Sequence, residues 1–349
     1  MPLTTALLAL VATSPVPMQQ GPPNAEMAKV LNQLADYKNP PLPSLPVLQA
    51  RQLPDASDAY REVLARMGKP GTDPSVDVDH ATIPGPGGKI VVRVYKPGPA
   101  GRMGDRPMPV IVYYRGGGWT IASLDTYDGS CRALSKMTGA MVVSVSYRTS
   151  PEAKFPAAHE DAYAALQYVM RNAGTMGGDP ANVAIVGESA GGNMAHGVCL
   201  MALDRKGMLP KHTVLVYPVT QLGTVTESYR QNEATLPLNT ATLMWMGKNY
   251  TKSPADGKSK YLSILRAPER DLRRMPPTTI ILAEIDPLRT EGEMYAERLK
   301  SLGVRTTATL YRGVAHEFFG MGEAIKEAMD AETEAANALK AAFGTAMSR

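Results

Sequence analysis

Gly187-Glu188-Ser189-Ala190-Gly191 sets one hydroxyl between small residues, in the pattern G-x-S-x-G. The apolar run "NVAIVG" before it reads as a buried strand, and "GGNMAHGVCLMALDRKG" after it reads as a helix. A serine on so sharp a strand-to-helix turn is lifted above the sheet at a helix N-terminus. Free amides and the helix dipole there favour a developing negative charge. Small neighbours are needed because a Cβ would strike the adjoining strand or helix. Chemically this is a nucleophile, and a hydroxyl needs a base.

Five histidines are available. His80 precedes the sheet core, His159 opens a helix, His196 lies inside the helix after the serine, and His212 begins a strand at its wrong end. His316, in the loop "RGVAHEFFG" after the last strand "RTTATLY", is at the edge where Ser189 must be. The imidazole needs an acid to fix its tautomer and stabilise its cation. "TTIILAEIDPLRTEG" offers Asp286 at a strand tip, stopped by Pro287, with Glu284 as the competitor inside the strand. Acyl transfer also needs amides aimed at the carbonyl oxygen. Ala190 supplies one. Gly117 and Gly118 of "YYRGGGWT" can supply others, because glycine lets the backbone approach the substrate.

These groups require a parallel sheet. "MPVIVYY", "MVVSVSY", "NVAIVG", "HTVLVYP" and "PTTIILAEID" are non-alternating apolar strands separated by helical stretches, the pattern of a sheet covered on both faces. A helix is expected between 123 and 139. "DHATIPGPGGKIVVRVYKP" reads as an antiparallel hairpin ahead of them. Residues 24–66 are helical by spacing, with Met27, Val30, Leu31 and Leu34 on one face. Between about 220 and 270 no buried strand is expected. The division is therefore 1–72 as N-terminal segment and cap helices, and 73–349 as catalytic domain with a cap insertion near 220–270, over the strand ends where open α/β sheets bind ligands.

Together "RGGGW", "YRTSPEAKFPAAHEDA", "GESAGGNMA", "DPLRTEG" and "VAHEFFGM", in this order from Tyr113 to Met321, resemble the hormone-sensitive-lipase-like (bacterial type IV) esterases of the α/β-hydrolase fold. Their triad follows the chain order Ser, Asp, His. The resemblance implies a carboxylesterase acting on short-acyl esters, with no cofactor and no metal. It implies a triad of Ser189, Asp286 and His316, and an oxyanion hole of Gly117, Gly118 and Ala190. One position departs: that family's glycine loop begins His-Gly-Gly-Gly, and here Arg115 stands in front of the glycines. Three readings stay open for Arg115: a structural substitute, a misplaced loop with weaker activity, or a charge that selects anionic substrates. On the first, Arg115→His keeps or raises turnover. Glu188 is expected to brace the turn. Tyr147, Arg148 and Pro156 are assigned no chemistry. Trp119, Trp245 and Met246 are candidates for an acyl pocket or for packing. An amidase or lactamase-like activity, or a non-catalytic binder of small molecules, are the alternatives to an esterase.

Bulk composition narrows the partners. The 349 residues are 44% apolar, and Lys+Arg of 37 against Asp+Glu of 33 leaves +4, so nothing calls for nucleic acid or an anionic membrane. Cys131 and Cys199 are too few and too far apart for a disulfide framework, and buried thiols are expected. "TTALLALVA" is too short to span a bilayer and no basic residue precedes it. A cytoplasmic location is the expectation, with export through that run the alternative. Both a monomer and a homodimer joined at the edge of the last strand remain open.

Overall fold

The computed structural model describes residues 20–98 and 106–345. The apolar N-terminal run lies outside them. Among the described residues three α-helices come first: α1 (Ala25–Asp36), α2 (Val47–Ala50) and α3 (Ala56–Arg66). Asn24 caps α1 by accepting from the Met27 amide at 2.8 Å, and Asp55 and Asp58 close a reciprocal capping box on α3. A proline-rich stretch separates them, as the prolines demand.

The hairpin follows as β1 (Val76–Gly85) and β2 (Gly88–Pro97), reversed by Pro86 and Gly87. Next come β3 (Met108–Tyr114), α4 (Asp128–Thr138), β4 (Met141–Ser146), α5 (Ala157–Asn172), β5 (Gly178–Glu188), α6 (Ala190–Arg205) and β6 (Thr213–Val216). The helix expected from 123 starts only at Asp128, because Trp119 and Ala122 take positive φ of 57° and 66° and the chain turns there. Between β6 and β7 (Thr278–Ile285) lie only α7 (Glu227–Gln231), α8 (Thr240–Tyr250), α9 (Glu269–Leu272) and short 3-10 turns among the described residues. The described residues end with α10 (Arg289–Ser301), β8 (Thr306–Ala315) and α11 (Lys326–Phe343).

The eight strands form one sheet in the order β1-β2-β4-β3-β5-β6-β7-β8, antiparallel at β1/β2 and β2/β4 and parallel elsewhere. Alternate side chains enter opposite layers. Val110, Val112 and Tyr114 pack with α5, α6 and α10, while Ile111 and Tyr113 pack with α1, α3, α4 and α11. Both faces are therefore apolar, which explains the unbroken hydrophobic strands in the sequence. The order reverses at β4-β3-β5, and the C-terminal ends of β3 and β5 open a crevice there.

Candidate active site

At the end of β5 the backbone turns through Ser189, which takes φ 55° and ψ −117°. For a residue with a Cβ this is strained, and the surroundings hold it. The Ser189 amide donates to Val216 O at 2.9 Å, and Ser189 O accepts from the Val219 amide at 3.2 Å. The small neighbours are obligatory. A Cβ on Gly187 would stand 2.2 Å from Gly191 O, and one on Gly191 would stand 1.9 Å from Tyr114 O.

His316 follows β8, and its amide donates to Ile285 O at the end of β7. This pairing sets it beside Asp286. The imidazole Nδ1 lies 2.7 Å from Asp286 Oδ2, and Nε2 lies 3.0 Å from Ser189 Oγ. Nδ1–H donates to the carboxylate, which leaves Nε2 to accept from the serine. Asp286 is fixed in turn, its Oδ1 accepting from the Leu288 amide at 2.8 Å. All three side chains are buried. Burial works against a charge on the imidazole. The Asp286 carboxylate, its hydrogen bond, and the nearby Glu317 and Glu188 outweigh that effect and hold His316 above its ordinary pKa. Glu284 is not the partner. It accepts from the Gly313 amide at 2.8 Å and pairs with Arg312.

Of the other histidines, His159, His196 and His212 are buried away from Ser189, and His80 is exposed on β1. His159 bonds Tyr250 Oη at 2.7 Å and Asn193 Oδ1 at 3.0 Å, and burial lowers it to about 4. His196 meets Tyr295 and Thr213, and burial lowers it to about 3. His212 meets Thr279. His80 receives a hydrogen bond from Arg93.

The glycine loop bends beside Ser189. Gly117, Gly118 and Trp119 take φ of 88°, 55° and 57° in succession. Glycine is needed at the first two, where a Cβ would also meet Ile121 O at 2.3 Å and Met246 Sδ at 2.1 Å. Among the described residues, the amides of Gly117, Gly118 and Ala190 donate to no acceptor of the chain. Arg115 lies under the loop, buried. Its Nη1 donates to Gly116 O at 3.1 Å and Ile121 O at 3.0 Å, and its guanidinium stacks 4.4 Å above the Tyr147 ring. Tyr147 Oη donates to Arg115 O at 2.9 Å and Gly116 O at 3.0 Å. Arg51, between α2 and α3, reaches Thr120 O at 2.8 Å and Ser150 O at 2.6 Å and pairs with Glu152.

A cavity of about 420 Å3 opens over Ser189. Gly118, Trp119, Val219, Tyr229 and Met246 line it. Trp245, offered by sequence for the same pocket, does not. Its neighbours on α8 take that place. The 3-10 turn Leu42–Ser44 of the N-terminal segment lies against α8.

Beneath the nucleophile, Glu188 accepts from the hydroxyls of Tyr113 and Tyr217. Burial, then the charge of Glu317, pushes it up to about 8. The Tyr217 ring lies 4.4 Å from the His316 ring, centroid to centroid. Sequence reasoning missed Arg51, Tyr127 and Glu317, and it assigned Tyr147 no chemistry although its hydroxyl and ring hold Arg115 and the glycine loop. Arg51, Tyr127 and Glu317 belong to no spacing pattern. Glu317 alone carried a signal, as a charged residue adjoining the candidate base.

The arrangement can draw a proton from a serine, attack a carbonyl and offer amides to the resulting oxyanion. A family described as having the alpha/beta hydrolase fold matches residues 111–320. The carboxylic ester hydrolase LipN of Mycobacterium tuberculosis is 35% identical over 272 residues, 76% of this chain and 70% of its own length. The carboxylesterase NlhH of the same organism is 36% identical, over 73% of this chain and 79% of its own. A hyperthermophilic esterase from the archaeon Pyrobaculum calidifontis superposes with a TM-score of 0.82 at 38% identity, covering 93% of this chain and all of its own (100%). The chain thus belongs to the α/β-hydrolase fold family, among its hormone-sensitive-lipase-like esterases.

Proposed function

We propose that the chain hydrolyses short-acyl carboxylic esters through a covalent acyl-enzyme on Ser189. The Ser189 proton passes to His316 Nε2 as Oγ bonds to the ester carbon. Asp286 steadies the imidazolium from Nδ1. The carbonyl oxygen becomes an oxyanion held by the amides of Gly117, Gly118 and Ala190. Collapse breaks the C–O bond, and the alcohol leaves with the proton from Nε2. Water then gives its proton to the same nitrogen, adds to the acyl carbon, and the acid departs as Ser189 regains its proton.

The observation that carries this reading is the unbroken relay from Asp286 to His316 at 2.7 Å and on to Ser189 at 3.0 Å, under an apolar cavity. The helices of 20–72 and 220–270 act as a cap, and with about 420 Å3 the cavity is at the small end of the roughly 300–1,000 Å3 range for ligand pockets. Short acyl groups are the substrates that fit. An acyl-chain series of p-nitrophenyl esters tests it. Acetate and butyrate should be hydrolysed well above dodecanoate, and Ser189→Ala should lower kcat by at least ~10³-fold with its circular dichroism unchanged. A matched amide should react at least ~100-fold more slowly than its ester. A wild type inert toward acetate and butyrate would remove the proposal in favour of a binding protein.

A further inference from the structure

Behind His316 the chain carries a second carboxylate that the relay does not use. Glu317 takes φ 69°, a left-handed conformation uncommon for a residue with a long side chain. Its Oε1 lies 3.8 Å from His316 Nε2, the nitrogen that faces Ser189, whereas Asp286 holds Nδ1. Tyr127 Oη donates to Glu317 Oε1 at 2.7 Å and fixes it there. That hydroxyl also stands 2.2 Å from where a Cβ on Gly116 would be, so the glycine loop leaves room for the clamp. The Glu317 side chain is 21% exposed and lines a second cavity of about 40 Å3, between α3 and α4, together with Tyr127 and Arg61. That volume has room for one water molecule. Burial raises the Glu317 carboxyl above its ordinary pKa, while the His316 imidazolium and the Tyr127 hydrogen bond act the other way and favour its charged form.

We propose that Glu317 is a positioning carboxylate for His316: from the Nε2 side it stabilises the imidazolium formed when Ser189 yields its proton, and so sets the acid limb of the pH–rate profile. It exchanges no proton with the substrate and acts by charge. The groups facing it are His316, Asp286, Glu188, Asp55, Arg61, Tyr127, Tyr147 and Tyr217. Glu188 is a third carboxyl whose charge acts on the same imidazole, from a distance, and its two tyrosine donors hold it beneath the serine. The sign follows from charge. An anion near Nε2 raises the pKa of the imidazole, so its removal frees the base at lower pH.

The inference rests on the ester-hydrolase reading above. The test is kcat/KM for p-nitrophenyl butyrate against pH in wild type, Glu317→Gln, Glu317→Asp and Tyr127→Phe. Glu317→Gln should move the acid limb down by about half to one pH unit. Glu317→Asp and Tyr127→Phe keep the charge and should leave the limb within about 0.3 unit of wild type. If Glu317→Gln does not fold, the double variant Tyr127→Phe with Glu317→Gln, which leaves no orphaned tyrosine hydroxyl, carries the same prediction. An active wild type whose limb is unmoved, or raised, by loss of the carboxylate overturns the inference. So does a Tyr127→Phe shift equal to that of Glu317→Gln, because the role is then structural. A wild type inert on the ester overturns the ester-hydrolase reading itself, and this inference with it.

Discussion

Arg115 shows what a single side chain does for a loop whose working atoms are backbone amides. Its charge does not face the substrate cavity, which argues against selection of anionic substrates. Nη1 satisfies two carbonyls of the bend while the stem and guanidinium pack on Tyr147. Arg115→Met keeps the packing and removes Nη1, which leaves Ile121 O without its side-chain donor and Gly116 O held by Tyr147 alone, and a carbonyl left bare costs about 1–3 kcal/mol. It should lower kcat on p-nitrophenyl butyrate by about 10–100-fold with KM little changed, because loosened amides lose stabilisation of the oxyanion while binding of the ground-state ester is little affected. Arg115→His restores a donor and should retain turnover. A loss of about 100-fold in the histidine variant would mean that the guanidinium has a role beyond bracing. Ser189, Asp286 and His316 were legible because each stands at a strand end in a fixed chain order. Glu317, Tyr127 and Arg51 were not, because their contacts join segments 190 and 69 residues apart that no local pattern links.

At the level of elements, α8 closes the substrate cavity. Asn239 caps it by accepting from the Thr242 amide at 2.9 Å, and Tyr250 at its far end stacks on Trp119 with ring centroids 4.5 Å apart. Between these anchors Met246 is pressed against the space where Gly118 lacks a Cβ. Met246→Ala should widen the cavity and raise the ratio of hexanoate or octanoate to butyrate kcat/KM by about tenfold, since a contact of one or two methylenes is worth roughly 1–3 kcal/mol. An unchanged acyl-length profile would place the acyl group elsewhere. The strands and most helices were readable from apolar runs and glycine stops. The late start of α4 was not, because it depends on positive φ at Trp119 and Ala122 that tertiary contacts impose. Nor did sequence tell which residue of α8 faces inward: Met246 does, and Trp245 beside it does not.

Across the whole molecule, buried titrating groups oppose one another. Burial lowers His159 and His212 to about 4 from an ordinary 6.5. Unfolding therefore takes up protons as pH falls through 6.5, and the fold loses stability down to about 4. Burial raises Glu188 and Glu291 to about 8 from 4.5, so the folded form holds protons that the unfolded chain releases, and stability is lost as pH rises from 4.5 to about 8. Between 4.5 and 6.5 the two slopes cancel in part. The Tm measured by calorimetry should show a plateau there and fall on both sides. A Tm still climbing from pH 6.5 to 8 would contradict the assigned glutamates. Arg51 adds a different consequence at this scale. It belongs to the N-terminal helical segment, yet it fastens the carbonyls of Thr120 and Ser150 beside the glycine bend proposed to carry the oxyanion donors. A displacement of Arg51 is passed to the carbonyls of Thr120 and Ser150, next to the glycine loop. In the proposed enzyme, the helices over the cavity and the amides that would receive the substrate's charge are tied together through Arg51, so an exchange of the N-terminal helices for a relative's should disturb the glycine loop unless that arginine is kept.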